Sequence, residues 1–354
     1  MIARSPMDNT KRSFLKWAGS KYNALSSLES VFSPYLSGTK GRTAIKRLVE
    51  PFAGSATVSL NFQVGEHLIA DGNADIINLY RRLAEDRVLF IDACEMEFSS
   101  AGANTADGFY QRRAAFNSIK SSLLSITAPQ NGAGEQENLD DLRRRARLFV
   151  YLNRHCFNGL CRYNSRGEFN VPFGKYKSPM FPRAAMMDFL TFVESRNVTF
   201  VCADFQTILN TDPSRGPVFL KDGDLVYADP PYAPLEAAAT FTSYIEGGFG
   251  TAEQLALAEA ANHWADHDIP VLISNHDTNA TRDWYKGSII HSFDVSRTIS
   301  SVGAGRKPVR ELIAEFTSPI PEDASDDMPS DLPGKFTPAE PAQTSLDLEF
   351  SRPV

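Results

Sequence analysis

Short apolar runs recur along the chain at strand length, separated by longer stretches of helical periodicity. Residues 46–50 (KRLVE) and 223–228 (GDLVYA) read as buried parallel strands with chemistry-bearing residues at their C-terminal ends. Residues 67–70 (HLIA), ending at Asp71, and 198–202 (VTFVC), ending near Asp204, read the same way. Residues 269–274 (IPVLIS) and 309–316 supply two later strands. TVSLNF, just after the first strand, suits the start of a helix. The Ala-, Leu- and Glu-rich stretch 251–264 predicts another, with Leu255, Leu257 and Ala261 at useful spacing. Strands alternating with helices predict an α/β sheet with a ligand crevice at the strand C-termini.

The middle of the chain breaks this rhythm. Residues 109–124 and 139–152 read as helical, with a linker-like break at 129–137 (PQNGAGEQE). Residues 153–182 mix Arg, Gly, Asn and aromatics without a period. The segment from about 75 to 182 therefore reads as an inserted second domain ending in a functional surface loop. The boundaries are a catalytic domain at 1–73 and 183–317, an insert at 74–182, and an acidic, Pro-rich tail at 318–354 that reads as disordered.

Charge sharpens the reading. The net charge is −7, but the tail alone carries eight acids against two bases. Residues 142–183 hold ten Lys and Arg against one acid, Glu168. Such a stretch is either the footprint of a polyanion partner or a solvated helix face. Arg143, Arg144, Arg145 and Arg147 fit both. No apolar run approaches the ~18 residues of a membrane span, and the N-terminus lacks a secretory h-region. The four cysteines form no C-x-x-C pair, so neither a disulfide framework nor a zinc ribbon is indicated, and a cytoplasmic location is expected.

Two turns carry candidate chemistry. In Glu50-Pro51-Phe52-Ala53-Gly54-Ser55-Ala56, Gly54 lets the backbone turn sharply against a ligand. Asp71 follows 17 residues later at the next strand end, near the spacing at which an acid meets ribose hydroxyls. One glycine where a dinucleotide fingerprint has three disfavours a dehydrogenase, and an ordinary βα turn stays open. Asp229-Pro230-Pro231-Tyr232 is sharper. Two prolines remove two backbone donors, leaving the Asp229 carboxylate and Pro230 carbonyl as acceptors. An exocyclic amine has two donors to meet them, and Tyr232 offers a stacking face. The turn suits methyl transfer to the amino nitrogen of a nucleobase flipped from its duplex.

At these residues the sequence resembles the Dam-type DNA adenine-N6 methyltransferases. The shared blocks are FLKWAGSK at 14–21, EPFAGSATVSLN at 50–61, ADGNADIINLY at 70–80, and YLNRHCFNGLCRYNSRGEFNVPFGKYK at 151–177. DPPYAPL at 229–235, ISNHDT at 273–278 and RTISSVGAGRKPVRELIA at 297–314 follow in order. The resemblance implies a Rossmann-like methyltransferase sheet with an inserted, mainly helical target-recognition domain. It implies S-adenosylmethionine as cofactor, double-stranded DNA as partner, and adenine in GATC as target.

It also implies roles for individual residues. Asp229, Pro230 and Tyr232 are the catalytic set. Trp17, Lys21, Phe52, Gly54, Asp71 and Asp229 face the cofactor. Lys16 and Arg162 contact bases, Leu160 and Pro172 meet neighbouring pairs, Phe157 wedges into the stack beside Asn158, and Lys175 touches phosphate. A sulfonium methyl is already activated, so no metal is needed. The departures are Ser20 and Ala56 where glycines are usual, Lys175 where Arg is common, Phe157 in place of Tyr, and the acidic tail. Within that tail, residues 343–348 (QTSLDL) are similar to peptides that dock on sliding clamps. His155 and His276 read as hydrogen-bonded loop histidines rather than acid-base groups. A catalytically idle DNA-binding regulator, or a methyltransferase for RNA or protein glutamine, are the competing readings; the intact Asp229–Tyr232 turn and the basic segment oppose them.

Overall fold

A computed structural model describes residues 10–62, 64–119, 133–234, 249–295 and 309–319. Residues 343–348, most of the acidic tail and part of the 297–314 block lie outside them, as does the proposed linker up to residue 132.

The sheet has seven strands in the order β3-β2-β1-β4-β5-β7-β6. These are β1 Arg47–Glu50, β2 Glu66–Asp71, β3 Asn197–Cys202, β4 Asp224–Ala228, β5 Val271–His276, β6 Ile289–Val295 and β7 Val309–Phe316. The first five are mutually parallel, and β7 runs antiparallel to both β5 and β6. Six strands fall where the apolar runs place them, with β5 starting two residues later than 269 and continuing to His276. β6 is the strand the pattern missed. It sits at the sheet edge with mostly half-exposed side chains, so it carries no buried apolar run.

Alternating side chains feed both faces of the sheet. Val49, Val226, Ala228 and Ile273 point into one core, shared with α7 Phe205–Ile208 and α8 Thr251–Ala265. Leu48, Leu225, Tyr227 and Leu272 point into the other, beneath α1 Leu25–Ser37. Three layers result: helix, sheet, helix.

Between β2 and β3 the chain inserts α3 Ala74–Ser99, α4 Ala106–Ser118, α5 Ala133–His155 and α6 Arg183–Ser195. α3 breaks at Arg87, where φ is +56°. α4 ends at Ser118, short of the 124 expected, and α5 extends the 139–152 expectation at both ends. One apolar cluster runs from the sheet (Ile69) through Phe14 and Leu60 to Phe109, Phe116, Phe149 and Phe169 of the insert. Apart from a 3-10 turn at Phe157–Gly159, residues 156–177 are irregular, tied down by isolated bridges Cys156–Phe173 and Tyr163–Phe169.

Two of the four arginines that the pattern offered to phosphates are used internally. Arg145 is buried and grips Asp75 with Nε at 2.5 Å and Nη2 at 3.0 Å, while its Nη1 donates to the carbonyls of Phe116 and Ile119. Arg143 donates to both oxygens of Asp86, at 2.7 and 2.8 Å. Only Arg144 of the four is exposed; Arg143 and Arg147 are half-buried. The short helix α2 Thr57–Asn61 follows the glycine turn, and α9 Asn279–Trp284 follows β5.

Candidate active site and nucleic-acid interface

Strand order reverses between β1 and β4, which opens a crevice outside their C-terminal ends. β1 ends at Glu50 and leads into the glycine turn; β4 ends at Ala228 and leads into Asp229-Pro230-Pro231-Tyr232. The two motif turns are therefore neighbours.

The second turn is fixed from behind. Gln254 Nε2 donates to the Pro231 carbonyl at 2.9 Å, and the Ala233 N–H donates to Asn275 Oδ1 at 2.9 Å. Asn275 and Gln254 are themselves bonded to the Tyr285 hydroxyl inside the core. Lys21 Nζ reaches Asp229 Oδ2 at 2.7 Å, donates to the Gly19 carbonyl at 2.9 Å, and lies 4.7 Å from the Tyr232 ring centre. Burial raises the Asp229 carboxyl above its ordinary value against the opposing pull of Lys21. Asp229 Oδ1 is shielded and has no hydrogen-bond partner among the described residues. A buried carboxylate oxygen left unpaired is costly, so this atom is an acceptor in want of a donor. Tyr232 donates to Glu311 Oε2 at 3.1 Å, and His276 meets its ring edge-on.

The first turn is braced by Asp71. Its two oxygens accept the N–H groups of Gly54 and Asn73, each at 2.8 Å. Gly54 has φ +46°, and a Cβ there would sit 2.5 Å from the Trp17 indole nitrogen, so only glycine fits. Ala56 takes a left-handed conformation, φ +50°, where glycine is the easier residue; the strain is about 1–2 kcal/mol. Phe52 stacks on Phe205 (5.3 Å) and meets Phe249 edge-on (5.5 Å), forming an aromatic wall beside the turn.

Sequence reading missed three members of this cluster: Glu50, Phe205 and Glu311. Glu50 is buried, accepts the Ser59 N–H at 2.9 Å, and is pushed up to about 7 by burial, with Asp229 adding to the rise. Glu50 and Phe205 could have been found from one signal, their position at or just beyond a parallel strand end. Glu311 lies on β7, an interior strand beside β5, and only the fold brings it near Tyr232.

The seven residues assigned to DNA also converge. The Phe157 N–H donates to the Pro172 carbonyl (2.8 Å), and the Asn158 N–H donates to the Tyr176 hydroxyl (2.9 Å). Lys16 Nζ sits 3.9 Å over the Tyr176 ring, and its backbone N–H donates to Asn153 Oδ1 at 2.8 Å. Gly159 (φ +65°) packs on Lys16 so closely that a Cβ would approach Lys16 Cβ to 2.3 Å. Burial lowers the Lys16 ammonium below its ordinary value, with Arg154 contributing. The side chains of Phe157, Asn158, Leu160, Arg162, Pro172 and Lys175 are exposed on this frame, Phe157 at 50 %. Among the described residues the Arg162 side chain is held through Nε alone, which donates to Asn170 Oδ1 at 2.8 Å. Segment 14–21 joins both clusters: Lys16 faces the 156–177 loop, Trp17 the glycine turn, and Lys21 the Asp229–Tyr232 turn.

His155 and His276 close helix α5 and strand β5 rather than lying in loops. Their Nδ1 atoms meet the carbonyls of Tyr151 and Ala233, and burial lowers His155 to about 4. No helix among the described residues is long and apolar enough to cross a membrane, and none of their His, Cys, Asp and Glu groups clusters as a metal site.

A parallel sheet with an antiparallel seventh strand, and acidic turns at its switch point, defines a Rossmann-like methyltransferase fold. Comparison with known proteins makes this specific. The profile of the D12 class N6 adenine-specific DNA methyltransferases matches residues 17–299. A DNA adenine methylase from Serratia marcescens is 41% identical over 314 residues, covering 86% of this chain and 98% of that protein. Those of Escherichia coli K12 and Vibrio cholerae are 40% and 37% identical, covering 86% and 87% of this chain and 95% and 96% of theirs. The chain belongs to the D12 class N6 adenine-specific DNA methyltransferase family and is an adenine-specific DNA methyltransferase.

Proposed function

We propose that S-adenosylmethionine is the methyl donor, that the target is adenine in GATC, and that the protein acts in the cytoplasm on the nucleoid. The observation that carries this reading is the unpaired Asp229 Oδ1 at the switch-point crevice, beside the Lys21 ion pair.

The residues present suit that donor. The Phe52–Phe205 wall offers a face to its adenine, and Asp71 has lone pairs left for ribose hydroxyls. Gly54, Trp17 and Lys21 line the remainder. When bound, S-adenosylmethionine supplies a methyl group already activated on sulfonium. The chain contributes alignment and polarisation. Asp229 Oδ1 and the Pro230 carbonyl take the two amine hydrogens, aiming the nitrogen lone pair into the crevice. Tyr232 stacks on the flipped base. As nitrogen becomes tetrahedral it loses conjugation with the ring, its protons acidify, and after transfer one passes to water, which restores a neutral methylamine. Residues 74–182 present the duplex to this site. Lys16 and Arg162 read guanine edges, Leu160 and Pro172 meet the neighbouring pairs, Phe157 fills the stack beside Asn158, and Lys175 holds phosphate.

Purified protein incubated with methyl-labelled S-adenosylmethionine and duplexes differing by one base pair tests this. Label enters adenine of GATC and falls at least tenfold on each altered site. Equal labelling of all duplexes contradicts the target, and none at all contradicts the donor.

A further inference from the structure

Arg162 is exposed on the loop, restrained by one side-chain bond among the described residues, yet both of its chain neighbours are anchored inward. The Tyr163 hydroxyl donates to Asp75 Oδ2 at 2.7 Å. Asp75 is 4% exposed and its partner Arg145 2%, so the hydroxyl closes a buried charged cluster. On the other side, Cys161 Sγ lies 3.5 Å from Asn73 Nδ2 and 3.6 Å from the Tyr163 hydroxyl. Asn73 caps α3 through the Asp75 N–H and donates its own N–H to Asp71. The loop is thus registered against the first turn of α3, three residues beyond the acid that braces the glycine turn.

We propose that Tyr163 is a positioning residue for site discrimination: its hydroxyl, bonded to the Asp75–Arg145 pair, sets the place of Arg162 relative to the duplex. The proposal rests on Arg162 reading a base. Bidentate contact between a guanidinium and a guanine edge fails when the donor fork is displaced by a fraction of an ångström, so a loosened anchor costs discrimination before it costs chemistry. Tyr163→Phe keeps the ring that packs edge-on against Phe169 and removes only the hydroxyl.

The test is a double-mutant cycle of Tyr163→Phe and Arg162→Ala, read as single-turnover methylation on the preferred duplex and on one altered at the pair Arg162 reads. The ratio of the two rates comes from one preparation, so any unfolded fraction cancels. Tyr163→Phe lowers the ratio about tenfold while the rate on the preferred duplex stays within about threefold. In the double variant the ratio equals that of Arg162→Ala alone. An unchanged ratio in Tyr163→Phe alongside a reduced one in Arg162→Ala overturns the positioning role alone, as do effects that multiply in the double variant. An unchanged ratio in Arg162→Ala overturns the base-reading role on which it rests.

Discussion

The turn proposed as catalytic, residues 229–232, and the loop proposed to read DNA, residues 156–177, solve opposite problems. At the turn the frame is satisfied and one atom is not: Gln254 and Asn275 fix the turn, Lys21 neutralises one Asp229 oxygen, and the other has no partner among the described residues. In the loop the charged frame is buried and paired, as in Arg145–Asp75, and six of the seven side chains proposed to meet DNA are exposed, Lys16 alone being half-buried over Tyr176. The first arrangement stores an unmet interaction for a small group that must be held in line. The second keeps flexible tips on a rigid base for a partner that arrives as a surface. Removing a member should therefore cost turnover in one region and stability in the other.

The largest effect sharpens that contrast. Asp229→Ala reduces single-turnover methylation below about 1% of the parent rate, a barrier increase above about 2.7 kcal/mol, while duplex binding measured by anisotropy stays within about tenfold. Turnover of several per cent would place the chemistry elsewhere. Arg145→Ala does the reverse. It strands the Asp75 carboxylate in the core and lowers unfolding free energy in urea by about 3–5 kcal/mol. A loss under about 1 kcal/mol would mean the frame of the reading loop is not held by this pair.

Next in size is a pH effect at the catalytic end. Glu50 sits at about 7 in the folded chain against an ordinary 4.5. Between these values the folded chain keeps a proton that the unfolded chain releases, so stability falls as pH rises, by up to about 3 kcal/mol. Glu50→Gln removes that dependence, and its stability relative to the parent is greater at pH 8 than at pH 5. A difference that is flat with pH, measured by urea unfolding at both, would contradict the burial argument. The smallest effect lies at the exposed tip. Lys175→Ala weakens binding evenly across sequences and lowers the salt slope by about one. A change in preferred sequence instead would make Lys175 a base reader.

Much of the catalytic end was legible because its signals are local. A strand, a turn and a specified residue type sit within a few positions at Gly54, Asp71 and Asp229. The crevice at the strand C-termini followed from alternation of strands and helices, whereas the switch point needed the strand order. What escaped depended on distant pairing. Arg145 and Asp75 are 70 positions apart, so a run of arginines read equally as phosphate contacts or a solvated helix face, and the buried pair was not foreseen. β6 escaped because an edge strand with one neighbour buries too little to impose a pattern. The residues of the reading loop were named through resemblance, not period. Their convergence depends on Asn153, Asn170 and Tyr176, whose polar contacts leave no trace in hydropathy.

The central claim is that Asp229 Oδ1 is the acceptor for the target amine. A crystal structure of the full chain with a duplex bearing the target adenine and a non-reactive sulfonium analogue tests it most directly. The account predicts the adenine out of the helix, with its N6 about 2.6–3.2 Å from Asp229 Oδ1 and from the Pro230 carbonyl. An N6 bound away from residues 229–232, with Oδ1 still unpaired, would contradict it.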